Sequence, residues 1–415
     1  MLANRFPALT YRDFRIFWLG QFASLIGTWM QSTVTPFLAY RVTNQPFYLG
    51  LVGFAASIPA LILTLPSGVF IEQLDKRKLV LALQTIMMLQ AFFLAYVTLT
   101  GQVTFWHILI ATLVLGIANA IEVTARQAMF IELVDKQVLP NAIALNSMVF
   151  NADRVLGPSL TAPFLLLLED AGIGWAFLAN GFSYLFVIVG LLMIRTRQSP
   201  NGQLRPTFQG FLEGQQFIRQ TPIVLTLILM VAIPGFFGFP FVQQIPVFAR
   251  DIFGTVGEAA STAAARNSFM VTAQGVGALS AAVVLAIFSG YRRKAMLLTL
   301  GQFGFSIGLI ALALSRSLTA AIPIMMLIGW GTVTQLTLTN TLIQLSIPDH
   351  LRGRVIATYI WVMQGTAPFG SLFIGWLAQE WGAPTAVLVG GFICVAGFML
   401  FHLARPTLRR TITQV

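Results

Sequence analysis

The sequence Glu72-Gln-Leu-Asp-Lys-Arg-Lys78 separates two apolar stretches of the chain, residues 47–70 and 79–100. Each stretch is long enough to cross the roughly 30 Å hydrocarbon core of a bilayer, which takes about 20 helical residues. A short basic loop between two such stretches is typical of the cytoplasmic side of a membrane. The motif therefore predicts two transmembrane helices that are joined inside the cell.

The composition extends this prediction to the whole chain. Of the 415 residues, 57% are hydrophobic and 9% are charged, and the mean hydropathy is +0.80. Since soluble domains carry about a quarter charged residues, this composition excludes a soluble enzyme, a nucleic-acid-binding protein and a disordered chain. Cys394 is the only cysteine in the sequence, so no intramolecular disulfide is possible.

The sequence predicts an all-α membrane protein with twelve transmembrane helices. The predicted spans are residues 15–40, 47–70, 79–100, 104–125, 140–168, 172–194, 222–248, 262–289, 295–315, 318–346, 355–379 and 384–404. With a cytoplasmic N-terminus, 20 of the 25 Lys and Arg residues fall on the cytoplasmic side, and only Arg41, Arg250 and Arg316 fall on the other side. Because basic residues concentrate in cytoplasmic loops, both termini are predicted to lie inside.

One long polar connection, residues 195–221, divides the predicted spans six and six. We therefore predict two six-helix bundles, residues 1–194 and 222–415, joined by a cytoplasmic linker over residues 195–221. The halves echo each other weakly, because Gly157 in the fifth span has a counterpart in Gly370 of the eleventh. Two pseudo-symmetric halves around a midplane site are the architecture of alternating-access transporters.

Five motifs are distributed along the chain, and the second of them extends the Glu72–Lys78 stretch. They are Phe17-Trp-Leu-Gly-Gln-Phe-Ala-Ser-Leu-Ile-Gly-Thr-Trp-Met-Gln31, Pro66-Ser-Gly-Val-Phe-Ile-Glu-Gln-Leu-Asp-Lys-Arg-Lys78, Glu122-Val-Thr-Ala-Arg-Gln127, Leu139-Pro-Asn-Ala-Ile-Ala-Leu-Asn-Ser147 with Asn151-Ala-Asp-Arg-Val-Leu-Gly-Pro158, and Pro348-Asp-His-Leu-Arg-Gly-Arg-Val355. Together they resemble the major facilitator superfamily, in the branch of enterobactin-exporter-like, macrolide and multidrug efflux proteins. The chain departs from that branch at Thr124, where proline is usual, and after Gly157-Pro158, where the antiporter signature continues towards a glycine pair.

The resemblance implies a conformational latch at the cytoplasmic mouth. Its residues would be those of the loop between spans 2 and 3, namely Gly68, Glu72, Asp75, Lys76, Arg77 and Lys78. The alternative is that the basic run only orients the protein in the membrane.

Two carboxylates are the candidates for proton coupling. Glu122 and Arg126 are four residues apart on one helix, so they share a face and can pair. Asp153 and Arg154 lie within the predicted fifth span, where an ionisable residue is a functional candidate by default. We predict that Glu122 or Asp153 is the proton-responsive group, and a purely structural Glu122–Arg126 pair is the alternative.

The predicted substrate cavity is lined by uncharged side chains, because spans 1, 7, 8, 10 and 11 contain no carboxylate. Its candidate residues are Gln21, Trp29, Gln31, Phe236, Gln243, Gln335, Asn340, Trp361 and Gln364. Such a lining suits a large amphipathic or aromatic solute better than a small anion. The alternative is that the glutamines only hold neighbouring helices together.

No signal of enzymatic activity occurs in the sequence. It contains no phosphate-binding loop or nucleophile motif, and its three histidines lie at span ends or in loops. We therefore predict no catalytic residue, cofactor or metal site. The resemblance implies a monomeric exporter in the bacterial inner membrane, which exchanges protons for a siderophore-like metabolite or a drug and contacts membrane lipids but no nucleic acid. The alternatives are a flippase for lipids or lysolipids and a non-transporting scaffold or sensor.

Overall fold

The computed structural model describes residues 6–71, 74–135, 137–194, 208–287, 294–348 and 351–404. These ranges are helical and contain no strand, which confirms the all-α fold class. A 3-10 turn, Pro7–Thr10, comes first. The helices are α1 (Arg12–Thr43), α2 (Pro46–Ile71), α3 (Lys76–Leu99), α4 (Phe105–Leu133), α5 (Leu139–Leu168), α6 (Gly172–Met193), α7 (Phe208–Gln220), α8 (Pro222–Ile252), α9 (Ala260–Ile287), α10 (Lys294–Leu314), α11 (Leu318–Leu345), α12 (Arg352–Trp381) and α13 (Ala383–Ala404).

Nine of these helices are long and apolar enough, in the part of the chain that the structure describes, to cross a membrane. They are α2, α3, α4, α6, α8, α9, α10, α11 and α13. The other three predicted spans coincide with α1, α5 and α12, in which polar side chains such as Asn151, Asp153 and Arg154 dilute the apolar sequence. The count of twelve transmembrane helices stays a prediction.

Local signals set the ends of several helices. Asn44 adopts the left-handed conformation (φ 55°) after α1, and its N–H donates to the carbonyl of Tyr40. Thr104 caps α4 by accepting from the N–H of His107, while the His107 ring accepts from the N–H of Thr104. Gly382 has a positive φ of 84° and separates α12 from α13. Left-handed residues and reciprocal side-chain caps satisfy the backbone groups that a helix end exposes.

Helix α8 changes its type along its length. After a regular first part, Pro222–Ile233, it forms a π turn over Pro234–Gly238, a 3-10 segment over Phe239–Gln244 and a second π turn over Phe248–Ile252. Proline has no N–H to donate and clashes with the preceding turn. Pro234 and Pro240 therefore account for the irregular course of α8 between them.

The chain forms two compact units. The N-terminal unit contains Met1–Asn44, Ala55–Arg205 and Gly257–Phe269, and the C-terminal unit contains Gln45–Phe54, Pro206–Val256 and Met270–Val415. In the N-terminal unit α1 packs mainly on α6 and α5, and α3 packs on α6 and α4. In the C-terminal unit α10 packs on α11 and α13. The division of the protein into equal six-helix halves stays a prediction.

Two residues around the first 3-10 turn, Ala8 and Tyr11, are hydrogen-bonded to the N-terminal unit. The N–H of Ala8 donates to Asn141 Oδ1 at 3.1 Å, and the hydroxyl of Tyr11 donates to Asp135 Oδ2 at 2.5 Å. This hydrogen bond to Asp135 raises the pKa of the exposed Tyr11 phenol, because the bond requires the protonated hydroxyl. Beneath the segment lies a buried apolar cluster that includes Phe14, Phe17, Val80, Phe130 and Val187.

Equivalent glycines bring helices into close contact in both units. Gly116 and Gly329 are each the twelfth residue of their helices, α4 and α11, and a β-carbon there would lie 2.8 Å and 1.9 Å from a backbone carbonyl oxygen. Gly157 and Gly370 are each the nineteenth residue of α5 and α12, and a β-carbon there would lie 2.9 Å and 2.2 Å from such an oxygen. These matched positions support the predicted internal repeat.

Candidate functional site

Asp153 lies on the buried face of α5, in register with Val149 and Gly157. Its exposed fraction is 0%, and neither carboxylate oxygen has a hydrogen-bond partner among the residues that the structure describes. Buried polar groups are almost always hydrogen-bonded, and an isolated buried charge is costly. Asp153 is therefore a carboxylate for which the described protein provides no compensation.

The neighbouring Arg154 contacts an aromatic ring of α1. Its guanidinium carbon lies 5.9 Å from the ring centroid of Trp29, a cation–π distance. Trp29 also makes an edge-to-face contact with Phe150, and a β-carbon on Gly157 would lie 2.4 Å from the Trp29 Cβ. Trp29, a predicted cavity residue, thus packs along α5 and holds Arg154 beside the Gly157-Pro158 segment.

Glu122 and Arg126 form the ion pair that their spacing on α4 predicts. The Arg126 Nε donates to the two carboxylate oxygens of Glu122 at 3.1 and 3.3 Å, and both residues are buried. Gln84 of α3 donates to Glu122 Oε1 at 3.2 Å, and Arg126 also donates to Asn146 Oδ1 of α5 at 2.9 Å. The pair therefore joins three helices, and each of its charges has an opposite charge and a neutral partner.

An amide network crosses the N-terminal unit near Gln31. The Nε2 of Gln31 donates to Gln90 Oε1 at 3.1 Å, and the Nδ2 of Asn180 donates to Gln31 Oε1 at 2.7 Å. Ser183 donates to Asn180 Oδ1 at 3.1 Å. These bonds link α1, α3 and α6, which matches the alternative that glutamines hold helices together. Gln21, also on α1, is buried, and its Oε1 has no partner in the described part of the chain.

The residues of the predicted latch make contacts inside the N-terminal unit. Asp75 caps α3 by accepting from the N–H of Lys78 at 3.1 Å. The Nζ of Lys76 lies 2.6 Å from Glu132 Oε1, and Lys76 is buried. Arg77 donates to the carbonyl oxygens of residues 191 and 192 at the end of α6, at 2.7 and 3.1 Å.

No side-chain contacts are described for two of the latch residues. Glu72 lies outside the described residues, and for Gly68 only its place in α2 is described. The latch role stays a prediction for the whole set.

Substitution of Asp75 separates its capping role from its charge. We expect Asp75→Ala to lower stability by about 0.5–2 kcal/mol through the lost cap, and Asp75→Asn to keep it, because Asn caps as well as Asp. If the carboxylate is part of the latch, cysteines introduced as reporters become more accessible from the cytoplasmic side in both variants. Only the Ala variant also lowers Tm. Wild-type accessibility in Asp75→Asn would leave Asp75 with the cap alone.

The C-terminal unit contains an aromatic cluster around the first π turn of α8. The ring of Phe236 lies 4.7 Å from that of Phe237 and 5.6 Å from that of Phe373 on α12. Beside them is a shallow cavity of about 340 Å³ that is largely open on one side, lined by Ile233, Phe236, Phe237, Thr366 and Phe401, together with Leu229 and Ala232. Because the Thr366 hydroxyl donates to the carbonyl of Val362 at 3.1 Å, the cavity suits a hydrocarbon or an aromatic group.

The other predicted cavity residues of this unit lie in different surroundings. Gln243 is partly exposed and lies against Gly53, and its Oε1 has no partner among the described residues. Gln335 is buried in α11. Asn340 accepts from Gln344 on the same helix at 3.1 Å. Trp361 is 46% exposed and Gln364 is partly buried, both on α12.

Several polar contacts were missed by sequence reasoning. Arg266 and Glu258 form two parallel hydrogen bonds of 2.7 Å at the start of α9. The next residue, Asn267, is buried and donates to the carbonyl of Thr33 at 3.0 Å. Spacing gave no signal for these contacts, because Glu258 precedes the helix and Thr33 is more than 200 residues away.

The fold and these sites define a class of membrane protein. Apolar helices of membrane-spanning length, with ionisable groups buried between them, form a multi-pass membrane protein of the transporter type. A family model described as transmembrane secretion effector matches residues 3–411. The chain belongs to this family, within the major facilitator superfamily of secondary transporters, which are not enzymes.

Known relatives extend over nearly the same length. The staphyloferrin A transporter of Staphylococcus aureus (strain NCTC 8325 / PS 47) is 23% identical, over 95% of this chain and 97% of that protein. The multidrug efflux pump Tap of Mycolicibacterium fortuitum is 21% identical, over 84% of each chain. The crystal structure of a bacterial homologue of the human lysosomal transporter Spinster, inward-facing and unoccupied, shares the fold, with a TM-score of 0.68 and 15% identity over 98% of this chain and 97% of that one.

Proposed function

We propose that this protein is a proton-coupled exporter of an amphipathic small molecule. It would act as a monomer in the bacterial inner membrane, with both termini in the cytoplasm and residues 1–194 and 222–415 alternating around the linker 195–221. The observation that carries the proposal is the state of Asp153, on a helix of the N-terminal unit. Its carboxyl group is fully buried and has no hydrogen-bond partner among the described residues. An intramembrane ionisable residue of this kind is the usual element of a proton relay.

The contrast with Glu122 favours Asp153 as the proton-responsive group. The ionised form of Glu122 is stabilised by Arg126 and by Gln84. Asp153 has no such partner in the described chain, so its ionised form depends on what enters its surroundings during the transport cycle. A group whose two protonation states are stabilised in different conformations couples proton movement to conformational change.

The substrate class follows from the apolar and amide-rich helices. The aromatic cluster of Phe236, Phe237 and Phe373 offers stacking surfaces without charge. Relatives are named for staphyloferrin A and for multiple drugs. A solute with an apolar or aromatic body and several hydrogen-bonding groups agrees with these observations, so we propose siderophore-like metabolites and drugs as the first substrates to test.

Reconstitution in liposomes tests the proposal directly. Purified protein is placed in liposomes with an acidic interior and an enclosed pH dye, and staphyloferrin A or erythromycin is added outside. We expect solute-dependent proton efflux, since inward movement of the solute is exchanged for protons. A flat pH trace for every compound, with protein shown to be folded, would contradict proton antiport and would leave uncoupled transport or a scaffold role.

The cavity of about 340 Å³ beside α8 favours a second candidate, a flippase for lysolipids or lipids. Its aromatic and aliphatic lining matches an acyl chain, and pockets of this size lie at the lower end of the range for small ligands. A fluorescent lysolipid in the same liposomes tests this function. Protein-dependent loss of dithionite-accessible fluorescence without proton efflux would favour the flippase over the exporter.

A further inference from the structure

A layer of uncharged polar side chains lies inside the C-terminal unit, where α10 packs on α11. Gln302 and Gln335 are each 1% exposed, and neither atom of either amide has a hydrogen-bond partner among the described residues. The hydroxyls of Thr334 and Thr339 are buried in the same way and likewise have no partner within that part of the chain. Six buried polar atoms are thus left without a protein partner.

The contact between the two helices brings Thr334 and Gln335 of α11 beside Gly301, the residue before Gln302 of α10, and Thr339 lies one turn further along α11. A β-carbon on Gly301, the residue before Gln302, would lie 2.8 Å from Thr334 Cγ2 and 3.2 Å from the backbone nitrogen of Gln335. A β-carbon on Gly331 would lie 2.6 Å from the carbonyl oxygen of Gly301. The backbones therefore touch at this level, and the polar atoms flank the point of contact.

Apolar side chains lie on both sides of Gln302 along α10, and on α11 Leu338 lies between Gln335 and Thr339. Leu298, one turn before Gln302, and Leu338, three residues after Gln335, belong to one buried apolar cluster. Phe305, one turn after Gln302, is fully buried and its ring centroid lies 6.5 Å from that of Phe241. The polar layer is therefore bounded by hydrocarbon along α10, so a hydrogen-bonding partner has to come from within the layer.

The N-terminal unit has side chains of related chemistry at the same helix positions. Gln84 is the ninth residue of α3, as Gln302 is the ninth of α10. Glu122 is the eighteenth residue of α4, as Gln335 is the eighteenth of α11. In the N-terminal unit these two side chains are joined by a hydrogen bond of 3.2 Å.

The third member of the N-terminal network explains the difference. Arg126 is the twenty-second residue of α4 and donates to Glu122, whereas the twenty-second residue of α11 is Thr339. Threonine is shorter than arginine and carries no charge, so it does not replace the guanidinium that completes the network. The C-terminal unit therefore has an amide, Gln335, where the N-terminal network has the carboxylate of Glu122, and it lacks the charge that pairs with that carboxylate.

We propose that this layer binds a neutral hydroxyl group, supplied by an ordered water molecule or by a hydroxyl of the transported solute. The two amide NH₂ groups need acceptors, the two amide oxygens need donors, and a hydroxyl is both at once. Buried waters commonly satisfy such groups, with two to four hydrogen bonds each. A charged group fits less well, because Gln302, Thr334, Gln335 and Thr339 offer it no opposite charge.

Radiolytic labelling in H₂¹⁸O tests the site with water itself as the probe. Hydroxyl radicals form from waters bound inside the protein and modify the adjacent side chains. We expect Leu298 and Leu338 to be labelled several-fold faster than Leu309, a buried leucine further along α10. We expect the Gln302→Leu/Gln335→Leu variant to lose this difference, since its layer no longer holds a polar guest.

A solute arm distinguishes the two sources of the hydroxyl group, and it rests on the proposed transport function. If erythromycin supplies the group, it lowers the labelling of Phe305 and Leu338 and raises Tm, and Gln335→Leu removes both effects. If water is the resident guest, the labelling persists with erythromycin present. Either result supports the site, and the water result does so even if proton-coupled transport is refuted.

Two results together overturn the site. They are labelling of Leu298 and Leu338 at the rate of Leu309 in the wild-type protein, with and without erythromycin, and a higher Tm for Gln335→Leu. In that case the amides are only an uncompensated cost, which an apolar side chain of similar size removes. The labelling rates of the wild-type protein decide the question alone if the leucine variants do not fold.

Discussion

Transport by the Asp153→Asn variant is expected to lose its response to a pH gradient while the protein stays folded. Asn has almost the shape of Asp but exchanges no proton, and in the described residues no partner of Asp153 is broken by the change. Each pH unit of gradient is worth about 1.4 kcal/mol per proton, so an uncoupled variant loses about tenfold of solute accumulation per pH unit. Solute accumulation in proteoliposomes, measured with and without an imposed gradient, checks this result.

The matched control is Glu169→Gln, which removes the same charge from an exposed position at the end of α5. We expect this variant to accumulate solute as the wild-type protein does. Retention of gradient-driven accumulation by Asp153→Asn, at wild-type expression and Tm, would remove Asp153 from the coupling mechanism. Glu122 would then be the remaining carboxylate candidate, despite its pairing with Arg126.

The positions of the helices were predictable because the bilayer imposes them. An apolar run of about 20 residues has few other uses, so the predicted span 172–194 corresponds to Gly172–Met193 and the span 318–346 to Leu318–Leu345. The irregular course of α8 was also predictable, since prolines at positions 234 and 240 remove backbone donors at fixed places. These predictions depend only on local sequence.

Partners on other helices were not predictable, because they depend on the rotation and depth of each helix. The Glu122–Arg126 pair follows from a four-residue spacing, but its bonds to Gln84 and Asn146 do not. From the sequence alone, Gln31 could line a cavity or hold helices together. Its hydrogen bonds to Gln90 and Asn180 show the second arrangement. A single sequence gives the periodicity of each helix and leaves open which faces meet.

Loss of one partner of the Glu122–Arg126 pair is expected to give the largest change in stability. Both side chains are at most 5% exposed, so either substitution leaves an unpaired charge in the interior. Breaking a buried pair in this way costs about 3–5 kcal/mol, which corresponds to a fall in Tm on the order of 10 °C. We expect this fall for Glu122→Gln, which leaves Arg126 without its carboxylate. Thermal unfolding of the purified protein measures it, and solute transport at a permissive temperature should keep its dependence on pH.

Removing both charges is expected to restore most of that stability. The variant Glu122→Gln/Arg126→Thr gives α4 the residues that α11 has at the same positions, Gln335 and Thr339. The C-terminal unit accommodates that uncharged pair in its interior. The double variant buries neither charge, so it does not pay the free energy that the unpaired Arg126 costs in the single variant. A double variant no more stable than Glu122→Gln would mean that Arg126 stabilises the helices chiefly through Asn146. A single variant as stable as the wild type would show that the Glu122 carboxylate does not stabilise the buried Arg126, and would refute the structural role of the pair.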